Sequence, residues 1–192
     1  MATADANLSS PPSTRTRILD AAIRRFARFS YEETGLRDIA DDVGVDVAYV
    51  HRSFGSKERL FAEAVRATAQ AGRITALDGA NFASDLARDF LAEDCVTEHG
   101  VRPLDISVRS LSSASAASVL REFILNDVII PLSEKLEPPD ERRAALVAAL
   151  LVGLGIMKDV LKIDMLVSND PGDLEALIRD AVAAIITPPR PG

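Results

Sequence analysis

Apolar residues recur with a helical period from Thr14 onward. Ile18, Leu19, Ala22, Ile23, Phe26 and Phe29 fall on one stripe, with Arg15, Arg17, Arg24, Arg25 and Arg28 off it, so the spacing predicts an amphipathic helix. A shorter stripe, Leu36, Ile39, Ala40 and Val43, stops at Gly44, as a helix ending on a glycine does. Asp46 is placed to cap a third helix that ends near Phe54, and Ser56 to cap a fourth that carries Leu60, Phe61, Ala64 and Val65. Farther on the pattern predicts helices at about 81–97, at 103–112 opening with Pro103, and at 115–136, where Pro131 kinks or ends the helix. After Pro138-Pro139-Asp140 a long helix is expected over 140–165. Pro171-Gly172 opens a last one with Leu174, Leu177, Ile178, Ala181, Val182 and Ile185 in register. No segment alternates cleanly with period two and no internal repeat is visible, so the expected fold class is all-α.

Composition narrows the function classes. The 192 residues are 47 % hydrophobic and 27 % charged, a globular balance, and they suffice for a real core without covalent staples. The single cysteine, Cys95, excludes an intrachain disulfide scaffold and a multi-cysteine zinc module. The first residues, MATADANLSSPPSTR, lack the apolar run of a signal peptide, so a cytoplasmic protein is expected. Ala144 to Met157 is the longest stretch without a polar side chain, and its 14 residues are too few to span a bilayer. The formal charge of −7 argues against nucleic acid, but only as a whole-chain average. Residues 1–60 carry nine Lys/Arg against nine Asp/Glu, whereas 61–192 carry 13 against 20. The acidic excess therefore lies wholly in the second part.

Leu36 to Leu60 is the informative stretch. Two short helices joined by a tight turn have Ala40 four residues before Gly44 and Val50 six residues after it. Helices crossing steeply need a small residue at closest approach, a glycine able to take positive φ, and an apolar anchor on the second helix. An ordinary αα-corner satisfies the same spacing. On a wheel of about 100° per residue, with Val50 inward, Phe54 and Val47 lie near it, Ala48 and Arg52 point away, and Tyr49 and His51 flank them. A small residue for close approach, an arginine able to fork onto a guanine edge and two rings with polar tips suit a major groove. A merely solvated face is the alternative. Arg15, Arg17, Arg37, Arg52 and Lys57 are expected to gather on the same side, with Glu32 and Glu33 in the turn after the first helix.

Linked motifs then point to a family. Ile18-Leu19-x-Ala21-Ala22-x-x-x-Phe26, Thr34-x-x-x-Asp38-Ile39-Ala40, Val43-Gly44-Val45 and Phe54-x-x-Lys57-x-x-Leu60 together resemble the N-terminal domain of TetR-type, tetracycline-repressor-like, transcriptional regulators. The resemblance implies an all-helical homodimer that binds a short palindromic, inverted-repeat operator of double-stranded DNA and releases it when a small molecule enters a C-terminal pocket. It implies a base contact at Arg37, variable recognition positions at Val47, Ala48, Tyr49 and Arg52, and a phosphate contact at Lys57. Departures are His51 where a phosphate-bonding tyrosine is usual, Asp46 for a serine or threonine cap, Gly35 for serine or threonine, and Ser30 for glycine. His51 still donates, and does so more strongly when protonated.

The C-terminal half says less. The helix predicted from 140 to 165 is apolar all round between Ala144 and Met157, so it must be covered on both sides. Ala145, Ala149 and Gly153 make a flat strip, widened by Ala144 and Ala148, and the last helix adds Leu177, Ala181 and Ile185. The pair is expected to form half of a two-fold four-helix interface, with a fully intramolecular core helix as the alternative. Leu151-x-Gly153-Leu154 through Leu161-x-Ile163, then Leu166-x-Ser168, is similar to a C-terminal domain type found in some of these regulators. Phe82, Phe90, Phe123, Asn126 and Met157 are the candidate pocket residues, each also readable as core or as a solvated side chain. Cys95 and His99 are four apart but lack a third group for catalysis and further ligands for a metal, so no enzyme, cofactor or metal is expected. The expected organisation is a flexible arm over 1–13, a helix-turn-helix domain over 14–60, a ligand-binding and dimerisation domain over 61–187 and a tail over 188–192. A ligand-responsive repressor, cytoplasmic and nucleoid-associated when bound to DNA, is the leading expectation. A helical protein-protein adaptor without its own operator is the alternative.

Overall fold

Ser13 opens the first helix by accepting the Thr16 N–H at 3.1 Å, and α1 (Thr14–Arg28) follows in the computed structural model, which describes residues 12–69, 81–92, 101–166 and 171–187. The first eleven residues of the expected arm and the tail lie outside the described residues, as do Cys95 and His99. Ile18, Ala22, Ile23 and Phe26 are buried as the stripe requires. Phe29 is not: it caps the helix in extended backbone and stays exposed, with the Arg28 guanidinium 5.3 Å from its ring centroid.

The next three helices are α2 (Leu36–Val43), α3 (Val47–Phe54) and α4 (Lys57–Ala69). Gly44 adopts φ 73° and ends α2, and a Cβ there would meet nothing within 4 Å. Glycine is thus required by its backbone angle and not by crowding. Ala40, almost fully buried, lets α3 approach, and Val50 and Phe54 enter the same core. Arg25 ties α1 to α2 through two bonds to the Asp42 carboxylate, at 2.5 and 2.9 Å.

Beyond α4 come α5 (Phe82–Leu91), α6 (Pro103–Ser110) and α7 (Ala114–Phe123). The helix predicted over 115–136 continues from α7 through a π segment, Ile124–Ile129, into α8 (Ile130–Glu134). Pro131 has no N–H to give and its ring crowds the preceding turn, and the backbone answers by widening: the Ile130 N–H reaches Leu125 O. The helix predicted over 140–165 is α9 (Glu141–Gly155) with a second π segment, Ile156–Val160. It stops short of 165, because Lys162 turns to φ 54° and a 3-10 turn, Asp164–Leu166, follows. The last helix, α10 (Pro171–Ile186), starts where expected. No strand occurs among the described residues, and the fold is all-helical.

Two apolar cores result. The first joins α1 to α4 with Val101, Ile106, Ala116, Leu120 and Phe123, so α4 runs as one helix from the helix-turn-helix into the C-terminal half. The second gathers Phe82, Leu86, Leu132, Ala144, Val147, Ile178 and Val182. Polar links reinforce the junction: Ser113 Oγ donates to Glu32 at 2.5 Å, and Arg66 donates to Asp127 in the first π segment at 3.3 Å. No helix among the described residues is long and apolar enough to cross a membrane.

Candidate nucleic-acid interface

The outer face of α3 is built from its two ends. Asp46 accepts the Ala48 N–H at 2.7 Å and starts the helix, and the Gly55 N–H returns to His51 O at 2.8 Å and closes it at φ 82°. With Val50 and Phe54 buried, Ala48, Tyr49, His51 and Arg52 are all exposed on the other side, as the wheel predicts. The Arg52 guanidinium sits 5.7 Å from the Tyr49 ring centroid, which steers a long side chain without using up its donors. His51 Nδ1 lies 3.3 Å from the Gly55 carbonyl oxygen. A carbonyl only accepts, so Nδ1 carries the proton, and the other ring nitrogen donates outward only in the imidazolium.

Val47 is half-buried and packs on the first core, near Val50 as the wheel places it, while the resemblance counts it among the recognition positions. Arg37 is exposed in the first turn of α2, which Asp38 opens by accepting the Gly35 N–H at 2.9 Å. Lys57 stands in the first turn of α4 with Nζ 4.1 Å from the Tyr31 ring centroid.

Arg15 and Arg17 are exposed and each is engaged by a partner within the chain. Arg15 Nη2 donates to both carboxylate oxygens of Glu63 at 2.7 Å, and its guanidinium lies 4.4 Å from the Phe54 ring centroid. Arg17 donates to Val43 O at 2.8 Å and so satisfies a carbonyl left over at the end of α2. Both brace α1 against its neighbours. Motif spacing also passes over Arg59, whose Nη1 would lie 3.1 Å from a Cβ at Gly55, bringing another exposed cation beside the end of α3. Its place in the first turn of α4, two residues after Lys57, was the available signal.

The candidate pocket residues are divided between the two cores and the surface. Phe123 belongs to the first core and Phe82 and Phe90 to the second, while Asn126 and Met157 are exposed. Apolar periodicity shows that such residues are helical and not which core they join. Phe90 instead covers the close approach of α6 to α9, where a Cβ on Gly155 would come 2.6 Å from Leu104 and 3.7 Å from Phe90. Among the described residues no group of three His, Cys, Asp or Glu is placed to hold a metal.

On α9, Ala149 and Gly153 are exposed and Ala145 half-buried, with open space where a Gly153 Cβ would stand. Leu146 and Val152 extend this outward strip, and α10 adds exposed Leu177 and half-buried Ala181 and Ile185. Ala144 and Ala148 do not widen it: both are buried, Ala144 in the second core, because residues four apart at 144 and 148 share the inward face with Val147.

Residues 18–64 match the model of bacterial regulatory proteins of the tetR family, and residues 80–186 match the tetracyclin repressor-like C-terminal domain. A TetR-family regulator from Streptomyces coelicolor A3 is 29 % identical over 92 % of this chain and 97 % of its own, with a TM-score of 0.64. The multidrug binding protein EbrR, solved with ethidium, is 22 % identical over 91 % of this chain and 99 % of its own, with a TM-score of 0.63. Reduced NemR of E. coli is 17 % identical over 92 % of this chain and 100 % of its own, with a TM-score of 0.66. Among curated proteins no relative matches.

Proposed function

The chain belongs to the tetR family, a family of DNA-binding transcriptional regulators and not of enzymes, and from that premise we propose that it is a cytoplasmic, homodimeric repressor. It holds an inverted-repeat operator with α3 in the major groove and releases it when a small molecule binds the C-terminal half. The observation that carries the reading is the outer face of α3, where Ala48, Tyr49, His51 and Arg52 are exposed together over an anchored inner face. Arg37 and Arg52 contact bases, Lys57 contacts a phosphate, and His51 contacts a phosphate when protonated. A two-fold pair of such helices reads half-sites about one helical turn or more apart.

Dimerisation through α9 and α10 is supported by the apolar strip those helices leave exposed. The effector is a small molecule of a class that the dispersed pocket candidates do not name. The ligands of EbrR, ethidium among them, make a reasonable first panel. The test is a gel shift of DNA from the region upstream of the gene, at moderate salt, followed by footprinting. A protected inverted repeat, released by a member of a metabolite and dye panel, is the expected result. No shift at any salt would overturn the repressor reading and leave the adaptor.

A further inference from the structure

We propose that Tyr31 is a positioning residue for DNA binding: its buried ring holds the Lys57 ammonium at the start of α4 and so sets part of the affinity for DNA of any sequence. The inference rests on the assignment of Lys57 to a phosphate. Tyr31 lies in the turn between α1 and α2, far from α3 and α4 in sequence, and is 3 % exposed. Its ring stacks on Phe26 at 6.1 Å and 12° and meets Phe61 edge-on at 5.1 Å and 73°. Phe26 and Phe61 meet in turn at 5.0 Å and 81°. Three rings locked against one another in a core make a fixed platform.

Lys57 Nζ is 4.1 Å from the Tyr31 ring centroid, well within the roughly 6 Å over which a ring face attracts a cation. Burial, with the Glu58 carboxylate alongside, pushes the Tyr31 phenol far above its ordinary range. The ring therefore stays neutral wherever the protein binds DNA, and the attraction is to its face and not to a phenolate. A surface lysine has a flexible four-carbon stem and loses much of its freedom on meeting a phosphate. Resting on Tyr31 removes part of that freedom beforehand. The ammonium has three donors and the ring engages it from one side, so donors remain for a phosphate beside the start of α4.

The experiment measures the salt dependence of anisotropy binding to a labelled mixed-sequence duplex longer than one helical turn. The proteins are wild type, Lys57→Ala, Tyr31→Phe, Tyr31→Leu and the Tyr31→Leu/Lys57→Ala double variant. Lys57→Ala should reduce the slope of log K against log salt by about 0.9, the value of one phosphate contact. Tyr31→Leu should lose a large part of the same slope and several-fold in affinity, Tyr31→Phe should stay near wild type, and Tyr31→Leu should add nothing once Lys57 is gone. Because leucine in a ring cluster can prevent folding, a fluorinated phenylalanine at position 31, which keeps the shape and weakens the ring face, carries the same prediction. An unchanged slope there overturns the proposal. So does an equal loss of affinity with and without Lys57, which marks a merely structural role, and so does tighter binding by Tyr31→Leu, which means that the ring keeps the ammonium off the DNA. A normal slope for Lys57→Ala overturns the phosphate assignment itself, an outcome distinct from the other three.

Discussion

The helix-turn-helix region buries Ile39, Val43, Val50 and Phe54 within its own chain, whereas α9 and α10 leave Leu146, Val152 and Leu177 exposed at 54 %, 40 % and 68 %. In the first region the exposed surface is chemically mixed, with arginines, a histidine and a tyrosine over a closed core. In the second an apolar strip stands open, at a cost in hydration that a lone chain does not recover. One region closes its core within the chain, with residues of α6 and α7, and offers polar donors. The other leaves apolar surface exposed, the surface that we propose a second copy covers.

Substitutions in each region should therefore fail in different ways. Phe61→Ala empties the ring cluster of the first core and should cost about 3–5 kcal/mol of unfolding free energy in urea, with no change in the oligomeric state of the folded protein. Comparable loss of self-association would break the contrast. Leu146→Glu with Gly153→Glu places charge on the open strip and should weaken self-association on the order of 100-fold, about 3 kcal/mol, by sedimentation or light scattering. The helical signal of the separated chains should persist. Loss of helix at the same concentration would mean that the strip is internal core.

Much of this difference was legible in the residues, and unevenly. Short amphipathic helices with one apolar stripe have only one way to face, so Gly44, Asp46 and the outward set on α3 could be read directly. A helix apolar on every side has no such arrow. Ala144 and Ala148 share the strip's composition but turn inward, and only the packing of α9 on α8 and α10 decides that. Phe29 follows the stripe of α1 by periodicity and escapes it because the helix ends one residue earlier. The first π segment follows from the constraint at Pro131, and hydrophobic spacing carries no trace of either.

Smaller effects sharpen the account of the first region. Asp46→Ala removes the cap of α3 and should cost about 1 kcal/mol of stability, while relieving a negative charge beside the DNA. Chemical denaturation and DNA titration of the same variant should thus move in opposite directions. The hydrogen bond from Arg25 holds the Asp42 carboxyl below its ordinary range, against the effect of burial, and a Ser30 backbone N–H does the same for Glu33. A depressed carboxyl supports folding above its unfolded value and loses that support as pH falls through the folded one. Stability should decline below about pH 4, and Asp42→Asn should flatten that decline in urea melts.

The central claim, that the exposed face of α3 reads bases while the start of α4 holds phosphates, is tested most directly by titrating the footprinted operator and a scrambled duplex with Arg52→Ala and Lys57→Ala. Arg52→Ala should lose about 1–3 kcal/mol on the operator, little on the scrambled duplex, and tolerance should widen at one base pair. Lys57→Ala should weaken both duplexes by a similar factor. Unchanged operator binding in both variants would contradict the account.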